Sequence, residues 1–482
     1  MNYRIVFSTT GMVLYIEAGM LVFPALIALG YHEGGHAVAF LIAIGVALLG
    51  GFLLRRLCKP LRPDIFSKEG LVIVALAWLA LSLVGALPFY LSGAIPRYID
   101  AFFETVSGFT TTGASILTDV EALSKSIIFW RSFTHWIGGM GVLVFVLAVL
   151  PASGGQNIHI LKAESPGPQV GKLVSKIKLT ARILYIIYTV LTIIQIILLI
   201  LGKMPVFDSV VSSLATAGTG GFAIKATGMA GYNSYCQVVI AIFMMLFGIN
   251  FNAFYFLLIH NFKQLGKCEE VFWYLGIIAV ATTIITVNLS LTNSLGVLIN
   301  IRDAFFQVSS IITTTGFATA DFNYWPALSQ TVLVVLMFIG GCAGSTAGGI
   351  KVSRIVILFK NFRRNVRKLV HPNSVESIHF EGQKVDDEVV HNVSNYFALI
   401  LFIFAFGLII ISFDGFSFTT NFTAIASCIN NVGPGLDVVG PYGSYAPYSP
   451  LSKLVLIAAM LLGRLEIFPL LVVFNPKVWL NK

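Results

Sequence analysis

Charge is what this chain has least of. Only 11% of its 482 residues are Asp, Glu, Lys or Arg, against 57% hydrophobic. A soluble domain is about a quarter charged. The shortage excludes a soluble enzyme, a disordered chain and a collagen-like fibre. Cysteine is sparse as well. Cys58, Cys236, Cys268, Cys342 and Cys428 are scattered, without metal-ligand, redox or disulfide-framework spacing. The apolar–polar alternation of a membrane barrel is missing too, and apolar runs such as Leu71–Ala94 are continuous. What remains is an all-α integral membrane protein, in keeping with a mean hydropathy of +0.86.

Apolar runs near the roughly 20 residues that a bilayer requires predict spans at about 11–30, 37–54, 71–95, 127–150, 181–201, 234–260, 271–289, 328–350, 394–413 and 451–474. The first run lacks a small-residue cleavage site and reads as a retained helix, not a signal peptide. The net charge of +9 does not point to nucleic acid, because the basic residues cluster briefly between spans. Arg55, Arg56, Lys59, Lys172, Lys176, Lys263, Lys267 and the run Lys351–Lys368 fall on one side, with Arg4 and Lys477 at the ends. By the positive-inside rule that side, and both termini, are cytoplasmic.

The opposite loops carry a repeat. Asp100–Gly113 reads DAFFETVSGFTTTG and Asp303–Gly316 reads DAFFQVSSIITTTG. Asp208–Gly221 (DSVVSSLATAGTGG) and Thr420–Gly433 (TNFTAIASCINNVG) keep the same spacing. Gly220 competes with Gly221 for the equivalent place in the second copy. Each unit is an apolar segment too short to span, followed by small and hydroxyl residues. Non-helical backbone at membrane depth is tolerated only where protein buries it or it lines a water-filled path. Four such loops around one axis would present carbonyl and hydroxyl oxygens from Thr111, Thr112 and Gly113, from Thr219, Gly220 and Gly221, from Thr314, Thr315 and Gly316, and from Asn431, Val432 and Gly433. Oxygen rings that replace a hydration shell select monovalent cations. The short helices would aim their negative C-terminal ends at the same place. The expected architecture is four pseudo-symmetric helix–pore-loop–helix repeats around one ion path, plus an extra N-terminal helix pair. It divides the chain at 1–69, 70–155, 156–262, 263–370 and 371–482.

These repeats, with FIGGCAGSTAGGIKVSR (Phe338–Arg354) and NNVGPGL (Asn430–Leu436), resemble the TrkH/KtrB/HKT superfamily of potassium transporters, and most closely its bacterial TrkH branch. The resemblance spans nearly the whole chain. It implies uptake of K+, with Rb+ as a permeant surrogate, through the bacterial inner membrane. It implies a homodimer in the lipid bilayer, with one pore per subunit and K+ bound only in the filter. It also implies a cytoplasmic, TrkA-like nucleotide-binding regulator and no organic cofactor or enzymatic activity. Glycine at all four aligned positions implies preference for potassium over sodium.

Gly340, Gly341, Ala343, Gly344, Ser345, Thr346, Gly348 and Gly349 interrupt the run after the third filter. A small-residue packing ladder is one reading. An unwound loop across the path is the other, since each Gly weakens a helix by roughly 1 kcal/mol relative to Ala. The resemblance implies the second, an intramembrane gating loop, with Lys351 and Arg354 beyond it as regulator contacts. Arg464 lies within the last run, where a cation faces an interior or a cavity. The resemblance implies a pore barrier there, and a structural pairing is the alternative. A symporter coupled to H+ or Na+ would need a titratable group on the path, for which Glu104 and Asp119 stand nearest. His32-Glu33-Gly34-Gly35-His36 fits a zinc-protease pattern. Its Gly-Gly step argues against the required helix, and no third ligand is evident.

Overall fold

The computed structural model describes residues 1–59, 66–141, 177–374 and 376–479. Among these, six helices are long and apolar enough to cross a membrane: Tyr3–Gly30, Gly34–Leu57, Lys68–Leu91, Ala181–Leu201, Glu269–Thr292 and Asp387–Asp414. A seventh span is possible if the bent pair Ser234–Phe247 and Phe251–Leu258 counts as one. The only sheet among the described residues is a two-stranded hairpin, His379–Phe380 with Gln383–Lys384.

The first two helices form an antiparallel pair that crosses at two glycines. A Cβ on Gly51 would lie 2.7 Å from the Gly11 carbonyl, so neither position admits a side chain without separating the helices. Glu33 stands between the two helices and accepts hydrogen bonds from Lys125 N (2.8 Å) and Ser126 N (3.2 Å). It thereby satisfies free amides at the start of the helix Lys125–Gly139. This role accounts for Glu33. The Gly34-Gly35 step opens a helix instead of forming a loop, and His32 stays outside that helix. No group of three His, Cys, Asp or Glu that could hold a metal occurs among the described residues.

Several predicted spans are shorter or broken. The run 71–95 is helical to Gly85, then continues as a short turn Leu87–Leu91 with Pro88 near its start. The run 127–150 is a helix from Lys125 to Gly139, and residues 142–150 lie outside the described set. Lys172 and Lys176 lie outside it as well. The run 234–260 bends by 93° around Gly248–Asn250. The run 328–350 is not a span: its helix is Ala327–Met337, and the chain is non-helical from 338 to 351. The basic stretch that follows, read as a loop, is a helix, Val352–Val370. The last run breaks after Arg464, where Glu466 (φ 57°) and Ile467 (φ 69°) take left-handed backbone. Hydropathy counts apolar residues but does not register where the helical hydrogen-bond ladder stops.

A buried ion pair ties the first repeat together. Arg131 sits on the helix Lys125–Gly139 and Glu104 on the short helix Tyr98–Phe109; they meet at 2.8 Å, 2% and 0% exposed. Removing one partner strands the other charge in a dry interior, at a cost of about 3–5 kcal/mol. Glu104→Ala is therefore expected to lower the melting temperature of detergent-solubilised protein markedly. Glu104→Gln combined with Arg131→Met should cost less than Glu104→Ala alone. Equal melting of Glu104→Ala and the parent protein would contradict this reading.

Candidate functional site

Four short helices, Tyr98–Phe109, Val206–Gly218, Val297–Ile312 and Phe418–Asn430, end in turns of identical geometry. In each, the residue two before the aligned glycine is left-handed: Thr111 (φ 55°), Thr219 (54°), Thr314 (55°) and Asn431 (57°). The next amide then bonds back to a carbonyl five residues earlier. These bonds are Thr112 N to Ser107 O (2.9 Å), Gly220 N to Ala215 O (2.9 Å), Thr315 N to Ser310 O (2.8 Å) and Val432 N to Ser427 O (2.9 Å). This is the Schellman closure of a helix C-terminus. The glycines themselves have positive φ: Gly113 79°, Gly221 70°, Gly316 84° and Gly433 103°. Gly221, not Gly220, is therefore the second-repeat equivalent.

The four turns form a closed ring. A Cβ on Gly433 would lie 2.7 Å from the Thr112 carbonyl oxygen. On Gly113, Gly221 and Gly316 it would come still closer to the carbonyls of Gly220, Thr315 and Val432 respectively. Each repeat's glycine thus abuts the carbonyl before the next repeat's glycine, from the first repeat round to the first again. Gly220 is fixed from behind: His135, fully buried, occupies the place of any side chain there, and its ring lies 4.2 Å from Phe222.

Side chains of the short helices hold the strands that leave the ring. Glu104 accepts from Ser115 Oγ (3.0 Å) and Ile116 N (3.0 Å) while paired with Arg131. In the fourth repeat Thr423 Oγ1 accepts from Leu436 N (2.9 Å), the amide that matches Ile116 N. Asp119 accepts from the amides of Glu121 and Ala122 in its own turn. Both proposed proton carriers are thus structural acceptors. Asn431 replaces the threonine of the other repeats. Its amide donates to Thr112 Oγ1 (2.9 Å) and Met460 O (2.9 Å), and Asn tolerates left-handed backbone better than most residues.

The stretch 338–351 lies against this ring. Gly348 N donates to Thr314 Oγ1 (2.7 Å), and Thr219 Oγ1 donates to Thr346 O (3.0 Å). A Cβ on Gly348 would meet Asn430 O and Asn431 Cβ, both at 2.9 Å. Its ends close on themselves through Gly340 N to Ile350 O (2.8 Å) and Val352 N to Gly341 O (3.2 Å). Its middle completes the bent span: Cys342 N donates to Gly248 O (2.9 Å), and Phe251 N donates to Gly344 O (3.1 Å). Ser345 turns its hydroxyl to Cys342 O (2.6 Å). Gly344 and Gly349 have positive φ, and Ala343 N bonds to Glu270 (2.8 Å).

Arg464 donates to Thr346 O (3.0 Å) and to Gly138 O and Gly139 O (2.6 and 2.7 Å). It joins the glycine stretch to the C-terminal end of the helix Lys125–Gly139. Glu466 pairs with Arg354 at 2.6 Å. Lys351 and Arg354 do not offer a surface to a partner. They are 2% and 7% exposed, because Lys351 turns to the carbonyls of Ala347 and Gly348 and Arg354 stacks on Tyr396. Sequence reading does not single out Arg131 or Glu270. The signal was available: an arginine inside FWRSFTHW, and a second glutamate at the opening of an apolar run. On the hairpin, burial and the charges of Glu270 and Glu269 push the Glu381 carboxyl up to about 7.

The family model described as TrkH, cation transport protein, matches residues 36–480. The Trk system potassium uptake protein TrkH of Salmonella typhimurium is 36% identical over 490 residues, covering 99% of this chain and 100% of that protein. The Trk system potassium uptake protein TrkG of Escherichia coli K12 is 32% identical, covering 99% of each. The crystal structure of the potassium transporter TrkH from Vibrio parahaemolyticus superposes with a TM-score of 0.88 at 31% identity, over 100% of both chains. The chain belongs to the TrkH family of cation transport proteins.

Proposed function

We propose that this chain is the potassium-conducting subunit of a Trk-type uptake system in the bacterial cytoplasmic membrane, with both termini in the cytoplasm. The observation that carries the reading is the closed ring of four equivalent turns, whose carbonyls come from Thr112, Gly220, Thr315 and Val432. Carbonyl oxygens around one axis can replace the hydration shell of K+ or Rb+. The four short helices end there, so their negative ends add to the attraction for a cation. Selectivity follows from the ring being crowded. A side chain at any of the four glycines must displace a neighbouring carbonyl.

The stretch 338–351 is the gate. It is non-helical, glycine-rich and bonded to two of the four turns. Arg464 holds it in place through Thr346 and adds a positive charge below the ring. Two unit charges 4 Å apart interact by roughly 4 kcal/mol at an effective dielectric of 20, less where water enters. The subunit acts as a homodimer with one pore per chain. A cytoplasmic, TrkA-like nucleotide-binding regulator works the gate through the helix Val352–Val370, whose exposed basic residues, among them Arg363 and Lys368, replace Lys351 and Arg354 as its contact. Coupling to H+ or Na+ is the weaker reading, because Glu104 and Asp119 are already committed as acceptors.

Three outcomes test this. In proteoliposomes, Gly113→Ser should lower the preference for Rb+ over Na+, and an unchanged ratio in well-folded protein would refute the filter. Deleting Gly344–Gly348 should raise basal Rb+ uptake while the ion ratio holds; wild-type uptake by inserted protein would remove the gate. Arg464→Ala should raise initial uptake per inserted protein. A lower rate at normal expression would leave Arg464 a purely structural anchor.

A further inference from the structure

Glu270 is the second residue of the span helix Glu269–Thr292 and is 2% exposed. One of its carboxylate oxygens accepts from two backbone amides, Ala343 N at 2.8 Å and Ser353 N at 2.8 Å. One amide lies in the middle of the glycine stretch and the other just beyond its end. Ala343 precedes Gly344, and Ser353 lies in the first turn of the helix Val352–Val370. The adjacent Glu269 pairs with Lys360 of that same helix at 2.6 Å. Two consecutive carboxylates therefore fix the loop and the helix that leaves it to one point of a span outside the loop. Hydrogen bonds from amides to a carboxylate are charge-assisted and about twice as strong as neutral ones. In a buried setting, their loss also leaves the amides unpaired.

We propose that Glu270 is the latch of the glycine stretch. It pins the middle of the loop and the first turn of the helix that leaves it, and the loop leaves the ring only when these two amides are released. The proposal rests on the reading of 338–351 as a gate, and it deepens that reading by naming the residue that sets the resting position. Glu270 touches no ion; it acts by positioning the loop. A displacement of the helix Val352–Val370 would draw Ser353 from Glu270 directly and strain the Glu269–Lys360 pair at the same time.

The chain carries a reporter for this. Cys342 is fully buried one residue before Ala343, and Cys236 is buried in the helix Ser234–Phe247, its thiol turned to Gly202 O and its apolar neighbours outside the loop. The experiment treats full-length wild type, Glu270→Gln and Glu270→Ala with a charged, water-soluble thiol reagent and locates the label by peptide mass. Glu270→Ala is expected to speed labelling of Cys342 by about tenfold or more, as loss of two charge-assisted bonds implies. Glu270→Gln, which keeps an acceptor oxygen, should fall between, and Cys236 should stay protected in all three. Unchanged labelling of Cys342 in both variants would overturn the latch. So would a parallel rise at Cys236, which would show a generally loosened fold. Rubidium flux judges the gate separately: faster Cys342 labelling with unchanged flux upholds the latch and removes the gate.

Discussion

Backbone amides and carbonyls at membrane depth have no water to turn to, and this constraint organises the whole molecule. The four short helices must stop inside the protein, and each does so through the same left-handed residue and the same returning hydrogen bond. The span that bends at Gly248–Asn250 leaves its own ladder incomplete. The glycine stretch supplies the missing partners through Cys342 N and Gly344 O. Two broken segments thus complete one another, and neither can be rearranged without opening the other.

The same constraint explains the polar residues around the ring. Thr219 and Thr314 serve the loop, Asn431 serves Thr112 and Met460, and Glu104 holds the strand leaving the first turn. Charges buried in a low-dielectric interior are tolerated when they are paired. Arg131 with Glu104, Arg354 with Glu466 and Lys453 with Asp100 at 2.7 Å follow that rule. The loop is bonded to the second and third turns by hydroxyls and to the fourth by close contact at Gly348. Any motion of the loop is therefore felt at the ring.

The sequence made the ring legible because left-handed backbone restricts which residues can stand there. Glycine at a fixed distance from a short apolar segment marks all four turns, even where Asn431 has replaced threonine. It could not distinguish Gly220 from Gly221, because two glycines in a row satisfy the pattern and only the backbone angle separates them. The helix breaks were less legible. Gly340–Gly349 announced one, but Gly248-Ile249-Asn250 and Leu465-Glu466-Ile467 sit in runs apolar enough to read as continuous spans. Lys351 and Arg354 were misplaced for a related reason. A basic residue after an apolar run reads as solvent-facing, whereas here the run had already ended at Met337 and the chain folds the two side chains inward.

If the ring is where the ion loses its water, rubidium is held there. Crystals grown in rubidium, with anomalous scattering recorded at the rubidium edge, test that most directly. A peak is expected on the axis among the carbonyl oxygens of Thr112, Gly220, Thr315 and Val432, weakened when sodium replaces rubidium. Ordered rubidium elsewhere in the protein with none at the ring, in crystals diffracting well enough to place it, would contradict it.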